Sequence, residues 1–250
     1  MKKDGYQKRF YRRWRYSRRL FIAQAAVQET DLQVLTDRPV DRQWLAQRIR
    51  KHRDAIEEYI NYKDRRFLAS LKPIAVELTA PAIVQDMARS AGKAGVGPMA
   101  AVAGALAQAV GRDLLRRGMR DVIVENGGDI FLRVSQPVRV GIFAGTKRSL
   151  SKLALRIKPS DTPLSVCASS GTVGHSVSFG FADSAVILAK NACLADAVAT
   201  ATCNRVKSKD DLAQAISFVR SVRGVTGCVI VLANRFVSWG RVEFASSPRA

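Results

Sequence analysis

The sequence predicts an α+β fold in which helices pack on a mixed, largely antiparallel sheet. Three observations predict it. Short apolar runs recur at Val122–Val124, Ile130–Val134, Val138–Phe143, Leu153–Ile157 and Leu164–Ala168, with turn residues and no helical pattern between them. Stretches with a 3.6-residue apolar period stand apart from these runs, above all at 42–62. Strands and helices never settle into the regular βαβα alternation of a doubly wound parallel sheet. No repeat of fixed short period is present.

Taken in order, Leu20–Val27 and Leu32–Leu35 read as two strands. Asp41 is placed to cap a helix from Arg42 to Tyr62, with Leu45, Ile49, Ile56 and Ile60 on one face. His52 falls on that face, where a histidine is expected to be packed and hydrogen-bonded. Pro73 marks a boundary. Pro81–Ala94 reads as a helix, broken by Gly92, Gly95 and Gly97-Pro98. Met99–Arg117 is a second one, rich in Ala and Val, whose Gly104 and Gly111 permit close approach of another backbone or a ligand. Gly118 stops it. After the strands named above, Ser176–Ala182 is ambiguous, and Asp183–Asn204 reads as one helix by length and composition. Ser208 is placed to cap a last helix, with Asp211 three residues on and Leu212, Ile216 and Val219 facing inward. Cys228–Leu232, a turn at Asn234-Arg235 and Phe236–Trp239 form a hairpin.

The 250 residues suffice for a large core, and 47% of them are hydrophobic. The net charge of +20 is unusual, and much of it is local. Residues 1–20 hold nine basic residues and one acidic one, a net +8, interleaved with Tyr6, Phe10, Tyr11, Trp14 and Tyr16. We read 1–20 as a basic arm and 21–250 as a single α+β domain, with two intertwined subdomains as the alternative. Such an arm attracts polyanions without specificity, and nucleic acid is one partner class it leaves open. The same excess suits a small phosphorylated ligand. No apolar run reaches 18 residues, and no apolar segment with a cleavage site follows the basic start, so neither a membrane span nor a signal peptide is expected. Cys167, Cys193, Cys203 and Cys228 show no CxxC spacing and lie in apolar sequence. They read as buried thiols of a cytoplasmic protein, and with two histidines a structural zinc site is not expected.

Three polar clusters interrupt this apolar pattern. Glu125-Asn126-Gly127-Gly128-Asp129 ends a strand, its glycines letting backbone approach a ligand and Asp129 able to bind a hydroxyl, ring nitrogen or cation; an ordinary hairpin has the same composition. Ser169-Ser170-Gly171-Thr172 carries hydroxyls and backbone N–H groups suited to phosphate, and equally suits a polar turn. It matches neither GxxxxGK[ST] nor GxSxG. Asp196 and Thr200, four apart on a helix, fit one hard cation such as Mg2+, or a packed polar pair. His175 is the histidine near this cluster.

In their order, these stretches resemble the FAD:protein FMN transferase (ApbE-like) family. The run AGVGPMAAVAGALAQAVGRDLL, then VIVENGGDIFLRV, PVRVGIF, SVCASSGT, a histidine and LADAVATAT follow the family's Gly/Ala helix, Gly-Gly-Asp turn, TSG turn, histidine and ADAxAT helix. The match spans roughly residues 92–240. The whole chain is closer still to an uncharacterised cytosolic branch of that family. The resemblance implies a site for FAD, FMN or a related nucleotide. In it Asp196 and Thr200 are Mg2+ ligands, and Asn126, Gly127, Gly128 and Asp129 contact the ligand with Ser169, Ser170, Gly171 and Thr172. His175 stands where the family's HIxDPxTG motif begins, which makes it the catalytic candidate. Ser176-Val177-Ser178-Phe179 then replaces that motif's Asp and Pro, and Ala182 its Gly. Three readings follow: a Mg2+-dependent FMN- or nucleotidyl-transferase, a non-catalytic flavin- or nucleotide-binding protein, and an enzyme of one-carbon, pterin-type cofactor synthesis. A homo-oligomer is compatible with each.

Overall fold

The computed structural model describes residues 20–142, 153–171, 181–233 and 235–246. Thr172 and His175 lie outside the described residues, as do residues 1–19 of the basic arm and most of the ambiguous segment at 176–182. Strands β1 (Phe21–Val27) and β2 (Thr30–Thr36) form an antiparallel hairpin. Helix α1 (Arg42–Tyr62) begins where Asp41 Oδ1 accepts a bond of 2.7 Å from the Trp44 amide. Its predicted face is the buried one: Leu45, Ile49, Ile56 and Ile60, joined by Tyr59. An N-cap aspartate contributes about 1 kcal/mol. Asp41→Ala is therefore expected to cost about that much in urea denaturation, and an unchanged midpoint would show the cap to be idle.

A short α2 (Arg66–Ala69) buries Phe67 edge-on against Tyr59. Helix α3 (Ala82–Ala94) runs through Gly92 and ends at Gly95, whose φ of 73° needs no Cβ. A 3-10 turn at Pro98–Ala101 leads into α4 (Val102–Arg116). Strands β3 (Val122–Asn126), β4 (Asp129–Arg133), β5 (Val138–Gly141), β6 (Leu153–Ile157) and β7 (Leu164–Ser169) follow.

The predicted helix over Asp183–Asn204 is a correction: it is a strand and a helix. Ser184–Ala189 forms β8, buried at every position, and α5 (Ala192–Arg205) starts after the Asn191 cap. A short apolar run carries no period of its own, so SAVILA joined to a helix by composition alone reads as more helix. Helix α6 (Asp211–Ser221) starts three residues later than Ser208. Half of a capping box is present, because the Ser208 and Lys207 amides donate to Asp211 Oδ2 at 2.7 and 2.9 Å, but Ser208 Oγ accepts the Asp210 amide at 3.2 Å and Asp210 occupies the cap position. Leu212 and Val219 are buried as expected. The final hairpin pairs β9 (Val225–Leu232) with β10 (Arg235–Gly240), and β11 (Phe244–Ser246) closes the chain.

Eight strands make one sheet in the order β1-β2-β3-β4-β7-β8-β9-β10, with every neighbouring pair antiparallel. Strands β11, β6 and β5 make a second, small sheet. Alternation along the strands divides the core. Ile123, Ile130, Leu132, Val166, Val186 and Val229 face the small sheet, where Val140, Leu155 and Ile157 meet them. Val124, Phe131, Cys167, Ile187 and Cys228 face the helices. On that side α4 lies over β3 and β4, α5 over β7 and β8, and α3 packs on α5. His52 of α1 reaches α4, where it bonds Asp113 at 2.7 Å. Fold class and strand direction thus agree with the sequence-based expectation.

Candidate functional site

Two of the three polar clusters meet beneath the start of α4. The Gly-Gly turn is a tight hairpin: Asn126 pairs with Asp129, and Gly127 and Gly128 have φ of 66° and 107°. Positive φ at both central positions is what a two-residue turn of this kind requires. Glu125 fixes it by accepting the Gly128 amide at 2.8 Å. The turn puts Asn126 and Asp129 on the helix-facing side of the sheet. Asn126 donates from Nδ2 to the Ala103 carbonyl at 3.1 Å. Asp129 stands opposite Cys167 in the β4–β7 register, since Ile130 pairs with Val166. Its Oδ1 accepts the Ala168 amide at 3.3 Å, and the neighbouring Cys167 thiol donates to the Ala192 carbonyl at 3.7 Å.

Helix α5 supplies the facing group. Its sequence is nearly all small or apolar, so it packs on every side and is buried from Ala192 to Cys203. Asp196 is carried into that interior, and its Oδ2 accepts the Gly104 amide at 2.8 Å. The Ala103 amide also bonds this carboxylate. Gly104 is required there: a Cβ would stand 2.5 Å from the Ala192 carbonyl oxygen and 2.9 Å from Asp196 Cβ. The first turn of α4 is therefore stitched to β3 through Asn126 and to α5 through Asp196.

The result is a pair of buried carboxylates close enough to repel each other. Asp129 is 6% exposed and Asp196 8%. Burial, and then the neighbouring Asp196, hold the Asp129 carboxyl well above the usual carboxylate range. Burial pushes Asp196 up to about 7, against the Gly104 and Ala103 amides that favour its ionised form. Desolvation also raises the Cys167 thiol, with Asp129 and Asp196 adding to it.

Thr200 is buried one helical turn beyond Asp196. Ser169 ends β7 two residues past Cys167, on the same face; its Oγ is buried and has no hydrogen-bond partner among the described residues. Ser170 and Gly171 follow the strand end, where the Gly171 amide bonds the Ala182 carbonyl at 3.0 Å. Asn126, Asp129 and Asp196 are thus drawn into one place. Sequence reading did not single out Cys167. Its signal was the strand period, which puts residues 165, 167 and 169 on one face.

This donor set fits a hard divalent cation. A cation would favour the ionised form of both raised carboxyl groups, and each keeps lone pairs beyond those its backbone partners use. Among the described residues no three His, Cys, Asp or Glu side chains converge as a metal-binding group. Beside these two carboxyl groups the described residues offer a hard cation only neutral oxygen donors such as the Thr200 hydroxyl.

Comparison with known proteins agrees with this fold. A family model described as AbpE bacteria matches residues 12–223. A UPF0280 protein of Methanocella arvoryzae is 39% identical over 88% of this chain and 89% of its own length. A UPF0280 protein of Methanocaldococcus jannaschii is 38% identical over 78% of this chain and 80% of its own. Among solved structures, the flavin transferase ApbE from Vibrio cholerae superposes with a TM-score of 0.57 at 13% identity, covering 88% of this chain and 96% of that one. The ApbE protein of Thermotoga maritima gives 0.56 at 12% identity, covering 90% and 96%. These two likenesses concern the fold. With the family model and the relatives beside them, they show that the chain belongs to the UPF0280 branch of the ApbE-like family.

Proposed function

We propose that the protein binds a flavin- or nucleotide-type phosphorylated ligand together with Mg2+. The observation that carries the reading is the convergence of two buried carboxyl groups, Asp129 and Asp196, whose ionised forms a divalent cation would favour. Asp196 and Thr200 would hold the cation, which would supply positive charge to offset that of the ligand's phosphate groups. The backbone at Asn126-Gly127-Gly128-Asp129 would approach the ligand closely, because no side chain covers either glycine. Ser169 offers a buried hydroxyl without a hydrogen-bond partner among the described residues, and Ser170 and Gly171 extend that edge. The net charge of +20 favours an anionic ligand. Four buried free thiols suit a reducing compartment such as the cytoplasm. Among the described residues no single helix is long and apolar enough to cross a membrane.

Transfer of an FMN or nucleotidyl group is the most concrete activity of such a site, with His175 as the catalytic candidate. The sequence after His175 favours a second reading, a binding protein that has kept the pocket without the reaction. One series of measurements separates them. FAD with Mg2+ should raise the thermal midpoint and neither alone should match it; a colourless protein indifferent to both would overturn the flavin reading. If FAD binds, release of AMP in the presence of an acceptor marks the transferase, and its absence the binding protein.

The raised Asp196 carboxyl gives a pH test. Its pKa lies above the unfolded value of 3.8, so the folded state holds the proton more tightly. Stability without divalent cation should then fall as pH rises from about 4 to about 7. Asp196→Asn should remove much of that slope. Mg2+ competes with the proton, so its stabilising effect should grow over the same interval. A thermal midpoint with the same pH profile in wild type and Asp196→Asn would count against the buried pair as described.

A further inference from the structure

A second polar cluster, outside the ligand site, governs where α5 begins. Asp86 of α3 accepts two bonds from Asn191 Nδ2, at 2.9 and 3.0 Å. Its Oδ2 also accepts from Cys193 Sγ at 3.5 Å and Gln108 Nε2 of α4 at 3.4 Å. Both amide side chains are themselves in use at the start of α5. Asn191 Oδ1 caps it by accepting the Leu194 amide at 2.9 Å, and Gln108 Oε1 accepts the Ala192 amide at 2.9 Å. The first N–H groups of a helix have no partner within it. Here two of them are satisfied by side chains whose other ends Asp86 holds. One carboxylate therefore orients both amides, because an acceptor at Asp86 forces each to present its NH2 to α3 and its oxygen to α5.

This matters to Asp196 because the same turn of α5 lies against Gly104. A Cβ on Gly104 would stand 2.5 Å from the Ala192 oxygen, so the contact has no slack. The Gly104 amide bonds Asp196 Oδ2 one helical turn along. We infer that Asp86 is a positioning residue: through Asn191 and Gln108 it sets the first turn of α5 and holds the Asp196 carboxylate at the Gly104 amide. The consequence for cation affinity rests on the Mg2+ reading above; the consequence for the Gly104 amide does not. Groups that orient metal ligands typically change affinity by about 10–100-fold when altered.

The test uses the full chain, with Mn2+ as the probe in place of Mg2+. Asp86→Asn sets an NH2 against the donors of Asn191 and Gln108. The exchanged pair Asp86→Asn with Asn191→Asp restores one donor to one acceptor and keeps a cap for Leu194. Mn2+ dissociation constants come from the spin-resonance signal of the free ion, and amide hydrogen exchange is read at Gly104 and at Val186 of β8. Asp86→Asn is expected to weaken Mn2+ binding at least about 10-fold. It should speed exchange at Gly104 relative to Val186, and the exchanged pair should recover both. Wild-type Mn2+ affinity in Asp86→Asn, or exchange that speeds equally at Gly104 and Val186, would mean that Asp86 supports the fold and nothing more. If the wild type takes up no Mn2+, the cation reading fails, and the Gly104 amide still decides for or against the positioning role.

Discussion

Asp196→Ala should abolish Mg2+-dependent ligand binding while the protein stays folded. Two effects on stability oppose each other. The change strands the Gly104 amide without its 2.8 Å acceptor, and an unsatisfied buried donor costs about 1–3 kcal/mol. It also removes one of two buried carboxylates that repel each other, which lowers the cost of burying Asp129. Stability is therefore expected to shift by at most about 2 kcal/mol, which is a modest change in midpoint for a chain of this size. Binding has no such offset. Loss of the charged ligand should weaken the Mg2+-dependent component at least about 100-fold, at the upper end of what changes around a metal produce. Asp196→Asn keeps the shape and the Gly104 bond, so a comparable loss in that variant would trace the effect to charge. Titration calorimetry with FAD at fixed Mg2+, beside a thermal scan, gives both quantities. Unaltered binding in Asp196→Ala would remove the metal assignment.

The parts of the architecture that local chemistry dictates were legible in the sequence. Asp41 as cap, the Leu45-Ile49-Ile56-Ile60 face and the Gly127-Gly128 hairpin each depend on neighbours within a few residues, and each stands where expected. The split of 183–204 into β8 and α5 was not legible, because a strand buried on both faces has lost the alternation that identifies strands. The site shows the same division. Residues inside one motif, such as Asn126 and Asp129, lie together because the hairpin pairs them. The groups that place them are remote in sequence: Gly104 bonds Asp196 across 92 positions and Asp86 bonds Asn191 across 105. Nothing in either local sequence records the partner. Gly104 did carry a hint, since a glycine amid alanines in a helix suggests close approach, but not what approaches.

That close approach has a second large consequence. Gly104→Ala adds one methyl group at a point where two helices have no room. Its Cβ would lie 2.5 Å from the Ala192 oxygen, 2.9 Å from the Ala192 carbonyl carbon and 2.9 Å from Asp196 Cβ. The first two are backbone atoms of a helix buried along most of its length, so relief must come from moving α4 away from α5. Overpacking of this kind costs about 1–3 kcal/mol and occasionally more. We expect a value near 3, a fall in midpoint of about 6–12 °C. The movement would also draw the Gly104 amide away from Asp196, so Mg2+-dependent binding should weaken with stability. Gly92→Ala is the matched control. Gly92 lies inside α3, is exposed, and has nothing within 4 Å of an added Cβ. Replacing an unstrained helical glycine by alanine should stabilise by about 0.5–1 kcal/mol. The same chemical change in two helices should thus act with opposite signs. Urea denaturation of the pair decides the matter: similar midpoints for both variants would mean that α4 and α5 are not in contact at Gly104, and the site assembled around that contact would have to be redrawn.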